Sequence, residues 1–183
     1  MTSTPEDTTT MERNLKQVTI YTDGACLGNP GPGGYGVVLL YAGYRKELSG
    51  GFLRTTNNRM ELLAAIEGLA ALKEDCTVTL VSDSEYVVKA MSQGWARQWQ
   101  KSGWKRGRNE RVVNPDLWAR LLELCQKHQV EFLWVKGHNG EPENERCDTL
   151  ANFAASRADL QVDAGYEATR HSHAPSSLFP ARG

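Results

Sequence analysis

No run of apolar residues in this sequence is long enough to cross a bilayer. The first fourteen residues, MTSTPEDTTTMERN, have neither the apolar stretch of an export signal nor the arginine richness of a transit peptide. Cysteine is sparse: Cys26, Cys76, Cys125 and Cys147 are scattered, with no C-x-x-C pair. That argues against a zinc ribbon and a disulfide framework, and it fits a reduced, cytoplasmic setting. A dominant charge is missing as well. Lys and Arg total 21 against 22 Asp and Glu, a net charge of −1, so any pull toward nucleic acid or a membrane has to be local. Heptads and sustained apolar surface patterns are also lacking, which makes a monomer the expectation.

What is present suits one soluble domain with one core: 183 residues, 40% hydrophobic and 23% charged. Residues 1–14 read as a disordered polar arm, 15–160 as the folded domain, and 161–183 as a flexible tail rich in Ala, Ser, Pro and Gly. His171 and His173 form an H-x-H pair in that tail with no third ligand nearby, so they read as solvated.

Residues 31–36, GPGGYG, match the dinucleotide-binding spacing G-x-G-x-x-G. A phosphate-cradling loop of that kind has to open a helix. Here Gly36 is followed by VVLLY, a strand-like run, and Pro30 and Pro32 lack the N–H groups a phosphate would need. The stretch is therefore expected to be a wide turn between antiparallel strands. Strands are expected over 16–23, 36–43, 45–53, 76–83 and 130–137, and helices over 55–72, 84–93, 114–129 and 142–158. The order βββαβ, then helical pieces, then βα, predicts an α/β protein with a mixed sheet, antiparallel at one edge and flanked by helices.

Four carboxylates stand at suggestive places, and each has an ordinary reading. Asp23 beside Gly24 reads as a turn residue. Glu61 with Asn58 fits a capping box, although Ala65, Gly68 and Leu72 on its face are small or apolar and point to packing on the sheet. Asp83 ends a strand and could cap the helix that follows, yet strand ends in α/β sheets are also where ligand sites form. Asp148 reads as a surface residue of the last helix. Together they offer two sheet-end aspartates and two helix carboxylates, and carboxylates that converge without a basic partner bind hard divalent cations.

The blocks TDGACLGNPGPGGYG, RTTNNRMELLAAI, SDSEYV, GWKRGR, NPDLW and WVKGHNGEPENERCDTLA occur in this order. They closely resemble the motif blocks of ribonuclease H, bacterial type 1, over roughly residues 15–160. The resemblance implies the ribonuclease H-like fold, a mixed five-stranded sheet whose first three strands are antiparallel. It implies an endonuclease that cuts the RNA strand of RNA–DNA hybrid duplexes with two Mg²⁺ ions, Mn²⁺ being a substitute, and leaves 5′-phosphate and 3′-hydroxyl ends. It also implies a cytoplasmic enzyme connected with DNA replication. By motif, Asp23, Glu61, Asp83 and Asp148 look like the metal-binding carboxylates. His138 of KGHNG resembles the mobile histidine that assists proton transfer or product release.

Residues 95–113 interleave Trp95, Trp99 and Trp104 with Arg97, Lys101, Lys105, Arg106, Arg108 and Arg111. Such a run is usually a solvated face, and tryptophans four apart are more often core. In a chain of net charge −1 the cluster is nonetheless a local anomaly suited to phosphate contact, and it resembles the family's basic protrusion on the DNA strand. By the same resemblance Arg54, Thr56 and Asn114 look like a pocket for a DNA phosphate, and Cys26, Asn29, Asn57 and Asn58 like the surface that reads the RNA 2′-hydroxyls. No base-edge readers are evident, so little sequence specificity is expected. Two positions depart from the pattern. Glu85 stands near the RNA strand where relatives often carry a neutral side chain, and Gly94 looks like an insertion before Trp95. His128 is expected to be a helix-end surface residue. The competing readings are a non-catalytic nucleic-acid-binding module, which would require a lost carboxylate, and a two-metal DNA nuclease of similar fold, against which the asparagines argue.

Overall fold

The computed structural model describes residues 15–172 except Asn109. Residues 1–14 and 173–183 and the side chains of His171 and Ser172 lie outside the described part. The elements run β1 (Lys16–Cys26), β2 (Gly31–Tyr41), β3 (Tyr44–Thr55), α1 (Asn57–Ala70), β4 (Cys76–Ser82), α2 (Glu85–Ser92), α3 (Trp95–Lys101), α4 (Pro115–Cys125), β5 (Gln129–Trp134), α5 (Pro142–Ala155) and α6 (Ala164–Ser172). One five-stranded sheet has the order β3-β2-β1-β4-β5. The first three strands are antiparallel, and β4 and β5 run parallel to β1. The mixed sheet expected from the element order is the one observed.

The central strands are covered on both faces, which is why β2 reads GVVLL instead of alternating. Gly68 of α1 lies against Ile20 and Val37, while Gly34 and Gly36 lie against α5. Ile20, Val37, Leu62, Leu69, Leu80, Trp118 and Leu121 are fully buried in the main core. Helix α4 completes that layer, opened by Pro115 at its first turn.

The GPGGYG stretch is a correction to the sequence reading. It is not a turn: β1 continues to Cys26, β2 begins at Gly31, and only residues 27–30 connect them. Gly33, Gly34 and Gly36 pair with Cys26, Ala25 and Asp23. Glycine is needed here for close approach. A Cβ on Gly36 would lie 2.1 Å from the Cys147 carbonyl oxygen, so the α5 backbone rests directly on the strand.

The tail is the second correction. Residues expected to be flexible from 161 onward include α6 and a segment docked on β3. The Leu53 N–H donates to the Gln161 carbonyl and the Gln161 N–H to the Gly51 carbonyl, at 2.8 and 3.1 Å. The segment is locked by Arg59, 3% exposed. Its guanidinium donates two bonds to Asp163 (2.7 and 2.9 Å) and two to Asp116 (2.9 and 2.8 Å). Thr55 Oγ1 donates to Asp163 at 2.6 Å. His128 is half-buried rather than free at the surface, and its Nδ1 accepts from the Cys76 N–H at 3.3 Å.

Burial alone would raise the Asp163 pKa, but the bonds from Arg59 and Thr55 hold it below the usual carboxylate value of 3.8. Its contribution to stability is therefore present above about pH 4 and fades as pH falls through the lowered value. Replacing Arg59 with Ala leaves the buried Asp163 carboxylate without its counter-charge and a cavity beside it, while Asp116 can turn to solvent. Urea denaturation at pH 7 is expected to show a loss of about 3–5 kcal/mol; a loss below about 1 kcal/mol would mean the tail is not held this way.

Candidate active site and nucleic-acid interface

Asp23 lies within β1, opposite Gly36 of β2, and its Oδ1 accepts from the Gly24 N–H at 2.7 Å. It is not a turn residue. Glu61 reaches it because α1 abuts the strand. A Cβ on Gly24 would sit 2.4 Å from the Glu61 nitrogen, so this approach too needs glycine. Helix α1 is capped by Thr56, whose Oγ1 accepts from the Arg59 N–H. Asn58 does not cap it, and the capping-box role for Glu61 falls away. Asp83 is likewise released from capping, since Ser84 caps α2 by accepting from the Val87 N–H.

Asp23, Glu61 and Asp83 converge: one carboxylate oxygen of each lies within 4.8 Å of the others. Asp23 and Glu61 are each 6% exposed. Asp148, half-buried on α5, stands outside this set, and its Oδ1 accepts from Asn152 Nδ2 at 2.7 Å. It is still close enough for its charge to act on Asp23.

The electrostatics follow from burial without a counter-charge. Desolvation, then the charge of Asp83, pushes Asp23 up from 3.8 to about 7. Glu61 is raised well above its usual value by burial and then by Asp23 and Asp83. Glu61 Oε2 is buried with no hydrogen-bond partner among the described residues, Asn57 donates a long 3.5 Å bond to Oε1, and the nearby Gly24 N–H offsets part of the upward shift. Two buried acids, an orphaned oxygen and a donor set made only of oxygens fit one class of ligand, a hard divalent cation such as Mg²⁺ or Mn²⁺.

His138 is exposed, with φ 52°, next to Gly140 at φ 81°. Its neighbour Gly137 rests on the Asp83 carboxylate. A residue the sequence reading passed over joins them. Asn144, 2% exposed, donates from Nδ2 to Asp83 Oδ2 at 3.3 Å. Asparagine in the first turn of a helix reads as a surface or capping residue, and nothing in the spacing marks it otherwise.

The nucleic-acid candidates fall into two kinds. Asn29 and Asn58 are exposed, Cys26 and Asn57 half-buried, and the Asn57 N–H donates to Asn29 Oδ1 at 3.2 Å, joining the β1–β2 connection to the start of α1. Arg54 is exposed and Thr56 half-buried beside them. Asn114 is 5% exposed, accepting from Arg59 and donating to Tyr86, so it is tied into the interior. In the protrusion, Trp99 stands edge-on to Trp118 at 5.5 Å, and both Trp99 and Trp104 pack on the core. Trp95 remains 40% exposed. Lys101, Lys105 and Arg106 point outward, and Arg106 lies 5.7 Å above the Trp99 ring. Gly94 takes φ 75° to start α3, and Glu85 is ion-paired with Lys89 one turn on.

Comparison with known proteins agrees with this architecture. The family profile described as RNase H matches residues 15–156. Ribonuclease H of Syntrophus aciditrophicus is 63% identical over 162 residues, 88% of this chain and 94% of that protein. Ribonuclease H of Desulforamulus reducens is 63% identical over 155 residues, 85% of this chain and 98% of that protein. Among solved structures, LC9-RNase H1, described as a type 1 RNase H with the type 2 active-site motif, superposes with TM-score 0.70 at 35% identity, covering 85% of this chain and 81% of its own. LC11-RNase H1 in complex with an RNA/DNA hybrid gives 0.58 at 28% identity, with 75% and 96% covered.

The raised pKa of Asp23 has a definite sign. The folded protein holds a proton that the unfolded chain releases near pH 4, so stability without divalent cations falls as pH rises from about 4 to about 7. In EDTA at pH 8, Asp23→Asn is expected to stabilise the protein by about 1–3 kcal/mol, and Mg²⁺ to stabilise the unsubstituted protein but not the variant to the same degree. Thermal unfolding in EDTA and Mg²⁺ at pH 5 and pH 8 checks this; destabilisation by Asp23→Asn in EDTA at pH 8 would contradict it.

Proposed function

The chain belongs to the ribonuclease H family and is thus an endonuclease for the RNA strand of RNA–DNA hybrids, and we propose that it works through two Mg²⁺ ions held by Asp23, Glu61, Asp83 and Asp148. The observation that carries this reading is the convergence of Asp23, Glu61 and Asp83 with Glu61 Oε2 left unpartnered in the interior. Buried anions kept together against their own repulsion are a standing cost to the fold, and a cation removes it.

The cations supply two things: a more acidic attacking water, and charge stabilisation at the leaving O3′. The protein's own groups do the rest. Asp23 is fixed by the Gly24 N–H, and Glu61 and Asp83 approach it from a helix and a strand end. In our reading His138, on its exposed loop, moves a proton at the scissile phosphate, and cleavage leaves a 5′-phosphate and a 3′-hydroxyl. Cys26, Asn29, Asn57 and Asn58 border the RNA strand. Asparagine amides both donate and accept, which suits a 2′-hydroxyl. Arg54, Thr56 and Asn114 receive a DNA phosphate. Trp95, Lys101, Lys105 and Arg106 line the outer side of the protrusion along the DNA backbone, with Trp99 and Trp104 beneath them as support. The Glu85–Lys89 pair compensates the extra anion near the RNA strand.

We place this domain in the reduced cytoplasm, as a monomer acting on hybrids that arise around DNA replication. The four described thiols are unpaired, and no described helix is long and apolar enough to cross a membrane.

Labelled RNA–DNA hybrid, double-stranded RNA and double-stranded DNA, each incubated with Mg²⁺ or EDTA, test the reading. Only the RNA of the hybrid is expected to be cut, only with the cation, and Asp23→Asn is expected to lower the rate by at least about 10³-fold. Activity that survives EDTA, or a preference for double-stranded DNA, would refute it. Lys105→Ala and Arg106→Ala are each expected to weaken hybrid binding and to reduce the slope of log K against log salt by about 1. An unchanged slope would remove the protrusion from the interface.

A further inference from the structure

The stretch from the last residue of β5, Trp134, to Asn144 in the first turn of α5 carries His138 and touches Asp83 at three places. At its root, the Trp134 indole N–H donates to the Asp83 carbonyl at 3.0 Å. In its middle, Gly137 lies on the Asp83 carboxylate so closely that a Cβ there would be 2.4 Å from Oδ2. At its far end, in the first turn of α5, Asn144 donates to the same Oδ2. The backbone N–H of Gly140 adds a bond to Glu145 Oε1 at 3.1 Å, fastening the loop to the helix.

Asn144 is unusual among these contacts. It is almost wholly buried, and its Oδ1 has no hydrogen-bond partner among the described residues. A carboxylate can only accept, so the amide has to present its N–H₂ side to Asp83 and leave the carbonyl oxygen unmatched. An unmatched buried acceptor costs about 1–3 kcal/mol. Leucine or alanine would avoid that cost at a position that only packs.

We infer that Asn144 is a positioning residue that couples Asp83 to the His138 loop, so that a divalent cation at Asp83 sets the position of the histidine. This rests on the reading that Asp83 holds a cation. The Nδ2 bond fixes the rotation of the carboxylate, and the donor for Oδ1 comes with what binds beside it. Partners one step removed from a metal orient its ligands in this way, and their loss typically costs 10–100-fold in metal affinity. Here the same partner also begins the helix that anchors the histidine loop. A change in the charge or tilt of Asp83 is therefore passed to both ends of residues 134–144, and through Gly137 to the residue next to His138.

The test is a Mg²⁺ titration followed by calorimetry and by the NMR signals of the His138 imidazole, in the unsubstituted protein, Asn144→Ala, the isosteric Asn144→Asp and Trp134→Phe. In the unsubstituted protein the His138 signals are expected to shift in step with Mg²⁺ occupancy. Asn144→Ala is expected to raise the Mg²⁺ Kd by about 10-fold or more, and both Asn144→Ala and Asn144→Asp, which lack the N–H donor, are expected to flatten the His138 response even at saturating Mg²⁺. Trp134→Phe, at an exposed position, is expected to flatten the response without changing the Kd. A folded Asn144→Ala protein with unchanged Kd and unchanged His138 response would overturn the inference while leaving the two-metal reading intact. If that variant does not fold, an unchanged His138 response in Trp134→Phe overturns it. An unsubstituted protein that takes up no Mg²⁺ would remove both.

Discussion

Two helix backbones can touch the central strands only where the strands have no side chains. Gly24 under the start of α1, and Gly34 and Gly36 under α5, satisfy that constraint. The rest of the site depends on it. With the helices seated at backbone distance, Glu61 is carried to Asp23 from one helix, and Asp148 is brought close enough for its charge to be felt from the other. Any side chain at these glycines would push a helix outward and part the carboxylates that now converge.

The same packing divides the charges of α1 into two groups. Arg59 and Glu61 are two residues apart, and both are buried. Arg59 is fully matched by Asp116, Asp163 and Asn114, and it ties the C-terminal segment to the domain. Among the described residues Glu61 meets other acids, the Gly24 N–H and one distant amide, and no cationic side chain is placed against it. One end of the network is therefore structural and electrically closed, and the other is left open. An uncompensated anionic cluster lowers stability on its own, which is a common cost where a site has to bind something of opposite charge.

Much of this was legible in the sequence, and the failures have a common cause. The order of strands and helices, the mixed sheet and the candidate carboxylates follow from local patterns and from block order. Taken singly, Asp23, Glu61 and Asp83 each had an ordinary explanation. The structure removes those explanations by supplying the caps from Thr56 and Ser84 and by placing Asp23 inside a strand. GPGGYG was misread because Gly and Pro normally punctuate chains, whereas here glycine answers to a helix more than 100 residues downstream. The C-terminal docking was invisible for the same reason: Asp163 looks like any polar tail residue until Arg59, 104 positions earlier, is found beside it. Asn144 carried no signal, since its role exists only relative to Asp83.

The most direct measurement is anomalous diffraction from crystals of this protein soaked in Mn²⁺. The account predicts a strong peak bounded by the carboxylates of Asp23, Glu61 and Asp83, and its loss in Asp23→Asn crystals. Mn²⁺ bound only elsewhere on the surface, with those three side chains left as a proton-sharing cluster, would contradict it.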